Sequence, residues 1–496
     1  MQRLYDTNPL ADKIKALISK ALVRVLIIST TFFPSCLYSG ELPDLGNSAS
    51  AILTPAQELE LGSSIMKELS QAQVISHDAY VTQYLQGLGY RLLATQGQAQ
   101  GAYHFFVVKD PTINAFALPG GFVGVNTGLI LASESESELA GVLAHEVAHV
   151  QQKHMARMYE HMGRLRLSTI AGMLAAALLA TQNSQAASGA MAATLAGSQQ
   201  VLINYTRDHE KEADYVGINA LKKAGFDPNG MPAFFHRMSQ ETRYYGNHLP
   251  EYLMTHPLTE SRLMEAQARA SSFPYKQIPD SLQYHLVQAR VLADTFSTPQ
   301  EASEFFSKRL AKGNYRSRTG TLYGYVISLL DANKPQQAKP YLDELIQSTP
   351  NQPLFQLAYA QMEMAMQETD KALSRLASTL ENHPNNYAVT YTYCEWLIKV
   401  GNANKAIAIL KNQVARKTAY SNFWYLLSQA YVKTNNPLQA HLAQAHFLKM
   451  QGDLSGAVIQ LRMAKKVSTL NAQEQRQIDA ELKDIQSKMD PKQAKL

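Results

Sequence analysis

Four alanines, Ala338, Ala372, Ala406 and Ala440, stand 34 residues apart, and this spacing restricts the fold of the chain more than any other feature. The same step runs through Tyr325, Tyr359 and Tyr393, through Ala360, Cys394 and Ser428, through Leu342, Leu376 and Leu410, and through Pro350 and Pro384. A period of that length is one helical pair, with small residues where two helices cross and proline in the turn that opens the next pair. One pair cannot bury its apolar face alone, so the pairs must stack into a solenoid. Ala457 and a helix from Gln473 to Met489 would cap the stack, and residues 283–312 hold a degenerate pair. The columns contain no group suited to chemistry. The array is a docking module, and Cys394, in a small-residue column, reads as a packing residue rather than a nucleophile.

The chemistry lies ahead of the repeats, in Ala144-His145-Glu146-Val147-Ala148-His149. Histidines four apart on a helix share one face, so His145 and His149 can reach a single ion. Glu146 projects towards that ion without being a ligand and can take a proton from bound water. Leu139, Val142, Leu143, Val147 and Val150 form an apolar stripe that turns the histidines inward. Ser133 to Glu136 reads as a capping box, with Ser135 and Glu138 an overlapping second frame. Downstream, Glu210-Lys211-Glu212-Ala213-Asp214 supplies a second helix. Glu210 completes a His-His-Glu set for one Zn2+ per chain, leaving one position for water. Asp214, one turn on, can hold the second nitrogen of a ligating imidazole. Glu212 points to another side. His154 lies about 140° round from His149 on a continuous helix and reads as a surface histidine, and neither Asp208 nor His209 has an assignable role.

Around this helix the chain alternates short elements. Thr54-Pro55 opens a helix, Tyr80 to Leu93 carries a second apolar stripe, and residues 103–108 are a strand. Ala115 to Leu118 and Phe122 to Val125 read as a hairpin around Pro119-Gly120-Gly121. Gly225 to Pro228 ends the Glu210 helix, and Met231-Pro232 opens another running to about Tyr244.

H-E-x-x-H followed by E-x-x-A-D resembles the HtpX and CAAX-prenyl-protease family of zinc metallopeptidases. The stretch Thr112 to Gly121 (T-I-N-A-F-A-L-P-G-G) resembles the segment before the zinc helix in that family, and Thr255-His256-Pro257 with Arg262 its later T-H-P…R element. The likeness covers about residues 50–270. The 34-residue array resembles the tetratricopeptide repeat, and the combination resembles the BepA-type periplasmic branch. The resemblance implies a mainly α fold: an α+β zinc metallopeptidase domain with a short strand hairpin, followed by an α-helical tetratricopeptide solenoid. It favours Asn114, Ala115, Phe116 and Ala117 as an edge on which substrate peptide adds as a strand, over a plain structural hairpin. For His256 three roles stay open: oxyanion donor, fourth ligand closing the site, or loop pin with Arg262 on a carboxylate. The clients implied are unfolded or stalled outer-membrane proteins, with the outer-membrane assembly machinery docking through the repeats. The alternative is a chaperone or adaptor whose repeats carry the main function beside a mostly closed zinc site.

At 496 residues the chain needs more than one domain, and the reading divides it into 1–40, 41–275 and 283–490. The first part reads as a cleavable secretory signal, with Arg24 before Val25 to Phe33 and small residues at Ser39 and Gly40; this implies a periplasmic protein. Phe33-Pro34-Ser35 is a poor lipobox for Cys36. Formal charge is +5, of which +3 lies in residues 1–40, so the remainder has no basic footprint for nucleic acid. Residues 169–200 are rich in Ala, Gly, Ser and Met. Twelve helical residues there span about 18 Å, too short to cross a bilayer, which leaves a packed helical hairpin or an apolar flap in peripheral contact with membrane or client.

Overall fold

The computed structural model describes residues 53–95, 103–161, 207–245, 250–416, 420–467 and 471–487, with isolated positions between 172 and 178. Residues 1–40, read from the sequence as an export signal, and most of 169–200 lie outside the described residues. Among the described residues no helix is long and apolar enough to cross a membrane.

Thr54 and Gln57 form a reciprocal capping box, and Pro55 occupies the first turn of α1 (Pro55–Gln71). Asp78 caps α2 (Ala79–Leu93) by accepting from the amides of Tyr80 and Val81. A small sheet follows, of β1 (His104–Val108), β2 (Ala115–Leu118) and β3 (Phe122–Asn126), in the order β1-β3-β2. The hairpin is antiparallel, pairing Ala115 with Val125 and Leu118 with Phe122, and it turns through Gly120 and Gly121, both with positive φ. β1 joins the other side of β3 in parallel. β2 is therefore a sheet edge, although all four of its residues are buried.

After α3 (Thr127–Ala132) comes α4 (Glu136–Gln151), the helix of the H-E-x-x-H motif. Its cap is Ser135, whose Oγ accepts from the Glu138 amide at 3.1 Å. Ser133 instead bonds back to the Leu129 carbonyl, and Glu138 accepts from the Glu134 amide rather than from Ser135, so Ser135 caps the helix and neither frame closes as a reciprocal box. Every residue of α4 from Glu136 to His149 is buried, a wider contact than the apolar stripe alone implies. The helix also stops earlier than a continuous reading requires. Lys153 adopts φ of 52°, a left-handed backbone that ends α4 and lets α5 (His154–His161) start in a new direction.

The next elements are α6 (Arg207–Lys223), α7 (Gly230–Tyr245), α8 (Glu251–Thr255) and α9 (Glu260–Ser271). α6 lies against α4 at Gly217, where a Cβ would sit 3.2 Å from the backbone of Ala144 and His145. Glycine thus lets the two motif-bearing helices meet at backbone distance.

The rest is helical pairs. Each column alanine is the fourth residue of its helix, in Pro335–Ser348, Thr369–Asn382, Ala403–Val414 and Pro437–Met450, and all four are buried. Leu342, Leu376 and Leu410 follow one turn later, fully buried. Burial pushes the Cys394 thiol up to about 12, as fits a packing residue. The degenerate pair is Leu282–Ala293 with Pro299–Lys312, and the last helix is Ala472–Ser487.

The repeats are not strung on a loose tether. One apolar core runs from Tyr80 and Leu85 through Leu139 and Val147 to Phe355 and Val389. At its polar margin, Arg290 donates to Asp78 Oδ2 at 2.7 Å and to the Tyr323 hydroxyl at 2.9 Å. Burial alone would raise the Asp78 carboxyl, but Arg290 and the Val81 and Tyr80 amides outweigh it and hold it below the usual range. Breaking a buried pair costs about 3–5 kcal/mol. Asp78 keeps 26% of its side-chain surface, so Arg290→Ala is expected to cost less, about 2 kcal/mol in urea unfolding at neutral pH. Because the folded Asp78 value lies below the unfolded one, its contribution is complete above about pH 4 and is lost as pH falls through the folded value. The gap between variant and wild type should therefore close in acid.

Candidate metal centre

α4 projects His145, Glu146 and His149, α6 projects Glu210 and Asp214, and the residue after α8 is His256. These six side chains and Arg262 of α9 are all buried. One ligand atom from each of His145, His149, Glu210 and His256 lies within 4.8 Å of the others. His145 Nε2 is 2.9 Å from His149 Nε2 and 3.4 Å from His256 Nδ1. Glu210 reaches His145 and His149 at 3.5 Å and His256 Nδ1 at 3.1 Å. Three imidazole nitrogens and one carboxylate converging in a dry site form the donor set that divalent transition ions take. Bare lone pairs of this kind, packed together, require a cation or protons between them.

The surrounding contacts orient the set. Asp214 Oδ1 stands 2.9 Å from His145 Nδ1, outside ordinary hydrogen-bond geometry but close enough to favour a proton on Nδ1, and Nε2 turns inward. Arg262 donates to both oxygens of Asp214 at 2.8 and 2.9 Å and to the Pro257 carbonyl at 2.8 Å, and its guanidinium pairs with Glu210 at 2.7 Å. Burial alone would raise both carboxyls. Arg262 and His145 hold Asp214 below its usual range, and the neighbouring imidazoles hold Glu210 well below. His145 is raised because Asp214 and Glu210 outweigh its burial, whereas burial and the adjacent imidazoles push His149 well down.

Glu146 differs from its neighbours. Both its oxygens are buried without a hydrogen-bond donor in normal geometry, and His256 Nε2 stands 3.4 Å from Oε1. Burial pushes it up to about 7, against the pull of His256 and the Ala117 amide of β2. A carboxylate of that kind, beside a cluster of ligand atoms, is suited to taking and returning a proton near neutral pH.

Two sequence readings need correction. His154 is not a surface residue: it is fully buried, with Nδ1 2.7 Å from His149 Nδ1. The 140° offset holds only on a continuous helix, and the break at Lys153 cancels it. Glu212 does face away from Glu210, but it is engaged, by His154 Nε2 at 3.2 Å and by Arg157 at 3.1 Å. His209, left without a role, stacks on His154 with centroids 4.4 Å apart. Nothing in Gln152-Lys153 signals a helix stop, so no local cue would have found this group.

Further along, α8 is tied to the hairpin. The Tyr252 amide donates to the Ile113 carbonyl at 3.1 Å, and Thr112 Oγ1 is 2.8 Å from Glu251 Oε2. Asn114 and Ala115 to Ala117 thus lie between α4 and the loop that carries His256.

The family model for Peptidase family M48 matches residues 79–270, and that for the tetratricopeptide repeat matches 329–390 and 364–430. The chain is 32% identical over 486 residues to the beta-barrel assembly-enhancing protease of Escherichia coli K12, covering 96% of this chain and 98% of that one. With the Vibrio cholerae counterpart it shares 36% over 443 residues, 89% and 91% of the two chains. With the mitochondrial metalloendopeptidase OMA1 of Schizosaccharomyces pombe it shares 32% over 203 residues, 41% of this chain and 57% of that one.

Arg262 is the one cation of the buried cluster that cannot give up its proton. Arg262→Met leaves Asp214 and Glu210 buried without it and should lower the stability of the metal-free protein by about 3 kcal/mol, measured by urea unfolding in the presence of chelator.

Proposed function

Because the chain belongs to the beta-barrel assembly-enhancing proteases, metallopeptidases of family M48 that carry tetratricopeptide repeats, we propose that it is a periplasmic zinc endopeptidase acting on unfolded or stalled outer-membrane proteins. His145, His149 and Glu210 hold one Zn2+, and His256 is a fourth ligand that closes the resting site. The observation that carries this reading is the convergence of four buried ligand atoms within 4.8 Å next to the carboxylate of Glu146, which no donor meets in normal hydrogen-bond geometry. Bound zinc supplies Lewis acidity, polarising a carbonyl and making water a better nucleophile. Glu146 takes the proton of the attacking water and delivers it to the leaving amine. Asp214 keeps His145 in the tautomer that offers Nε2. Substrate lies along Asn114 to Ala117 as an added strand. Support for this comes from the place of β2 at the sheet edge and of the Ala117 amide beside Glu146. Backbone pairing reads little side-chain sequence, which suits unfolded clients.

The repeats, residues 283–490, dock clients or the outer-membrane assembly machinery on the catalytic part, 41–275. Residues 1–40 are a cleavable export signal; Leu174, Ala175 and Leu178 pack against the apolar cluster of α1 and the sheet, which supports a packed helical hairpin for that part of 169–200 and leaves peripheral membrane contact to the rest. A second reading, a chaperone or adaptor with a mostly closed zinc site, draws support from His256 standing among the ligands.

The test is cleavage of an unfolded outer-membrane protein by the purified chain, wild type against Glu146→Gln, with zinc measured on both. Equal zinc with cleavage by wild type only is the expected result; cleavage by both variants sinks the assignment of Glu146. His256→Ala, with zinc retained, is expected to raise cleavage several-fold, of the order that unblocking a mostly closed site gives. Loss of activity in that variant would make His256 a transition-state donor instead.

A further inference from the structure

We propose that His154 is a positioning residue of the metal centre, fixing His149 for the ion through a relay that ends on Glu212. The proposal rests on the reading of His149 as a ligand.

The proton arrangement follows from the end of the chain. A carboxylate only accepts, so His154 Nε2, 3.2 Å from Glu212 Oε2, carries a hydrogen. A neutral imidazole protonated there has its lone pair on Nδ1. That Nδ1 lies 2.7 Å from His149 Nδ1, so His149 donates and its own lone pair is left on Nε2. His149 Nε2 is the atom that faces His145 and Glu210. One end of the relay thus dictates which nitrogen is offered at the other.

The two histidines of α4 therefore reach one tautomer by different routes. His145 meets a carboxylate directly, Asp214 at 2.9 Å, and Arg262 clamps that carboxylate. His149 has an imidazole interposed, and Arg157 clamps the carboxylate beyond it. The interposed ring is fixed: His154 is fully buried and stacks on His209 with an interplanar angle of 14°. It occupies this place because the left-handed Lys153 breaks the helix just before it.

The amide side chains separate positioning from mere packing. Asn at 154 sets its carbonyl oxygen where Nδ1 stands and can accept from His149; Gln sets its amide where Nε2 stands and cannot. Metal affinity of the full chain is read by titrating Co2+ and Zn2+ against a chelating dye, with the visible bands of bound Co2+ as a second readout. Outer partners of metal-bound histidines are worth about 10–100-fold in affinity. His154→Asn should stay within about threefold of wild type, while His154→Gln should lose about 10–100-fold and change the Co2+ bands. Glu212→Ala, at a half-exposed position that folding tolerates, should lose several-fold. His154→Gln binding as tightly as wild type, or Asn and Gln losing equally, overturns the proposal, as does an unchanged affinity in Glu212→Ala. If His149→Ala binds metal like wild type, the ligand reading itself fails, a result distinct from all of these.

Discussion

Seven ionisable side chains, from His145, Glu146, His149, Glu210, Asp214, His256 and Arg262, are buried at one point, and the architecture of the catalytic part depends on making that tolerable. A charge withdrawn from water costs several kcal/mol unless partners replace the lost hydration. Here the partners come from different elements: α4 against α6 through His145 and Asp214, α6 against α9 through Asp214 and Arg262, the loop after α8 against both through His256 and Pro257. The same contacts that neutralise the cluster fix the angles at which the ligand atoms converge. Glu146 is the exception. Its burial outweighs the pull of His256 and the Ala117 amide and pushes its carboxyl up to about 7, so on the proposed reading the group with the least compensation is the one whose protonation changes.

α4 joins two interactions that the sequence keeps far apart. At its first turn, Glu136 accepts from the Ser281 amide and hydroxyl and the Tyr84 hydroxyl, and donates its own amide to Asp280. Tyr284 closes the joint by donating to the Ser133 carbonyl at 2.7 Å. At its last turn stands His149. Sixteen residues of helix measure about 24 Å, so the helix that carries His145 and His149 is also the beam on which the repeat array is seated. A negative side chain at its N-terminus is favoured by the helix dipole, and here that side chain also serves as the acceptor for the first helix of the array.

What the sequence makes legible is what repeats locally. The 34-residue columns, the Thr54 and Ser135 caps and the hairpin around Pro119 to Gly121 all follow from periodicity or turn chemistry, and the folded chain has them. Ser133 was misleading because two overlapping frames satisfy the same pattern, and only tertiary contacts select which serine caps the helix. His154 was illegible for a different reason. Its position depends on one backbone torsion at Lys153, a residue type that rarely takes it, so the sequence reads as unbroken helix. Contacts such as Arg290 with Asp78, or Arg262 with both Asp214 and Glu210, join residues whose separation leaves no local trace. Arg262 was expected to pin a loop by bonding one carboxylate; its planar fork instead reaches two carboxylates and a carbonyl at once.

One segment, Asp110 to Leu118, links the parts of the site that would have to move to those that would not. Asp110 Oδ1 accepts from the Thr112 amide at 2.7 Å and lies 2.6 Å from Thr112 Oγ1, which is also 2.8 Å from Glu251. A hydroxyl has one proton and so can donate to only one of these two carboxylates. Burial and the nearby Asp110 both raise Glu251, so the Thr112 contact is held by two acids that compete for a single donor. This contact and the Tyr252 amide on Ile113 attach α8, and with it His256, to the strand edge. On the proposed reading, a peptide that pairs with β2 presses on the same few residues that keep His256 among the ligands. Seating of substrate and release of the fourth ligand then act on one short stretch of backbone.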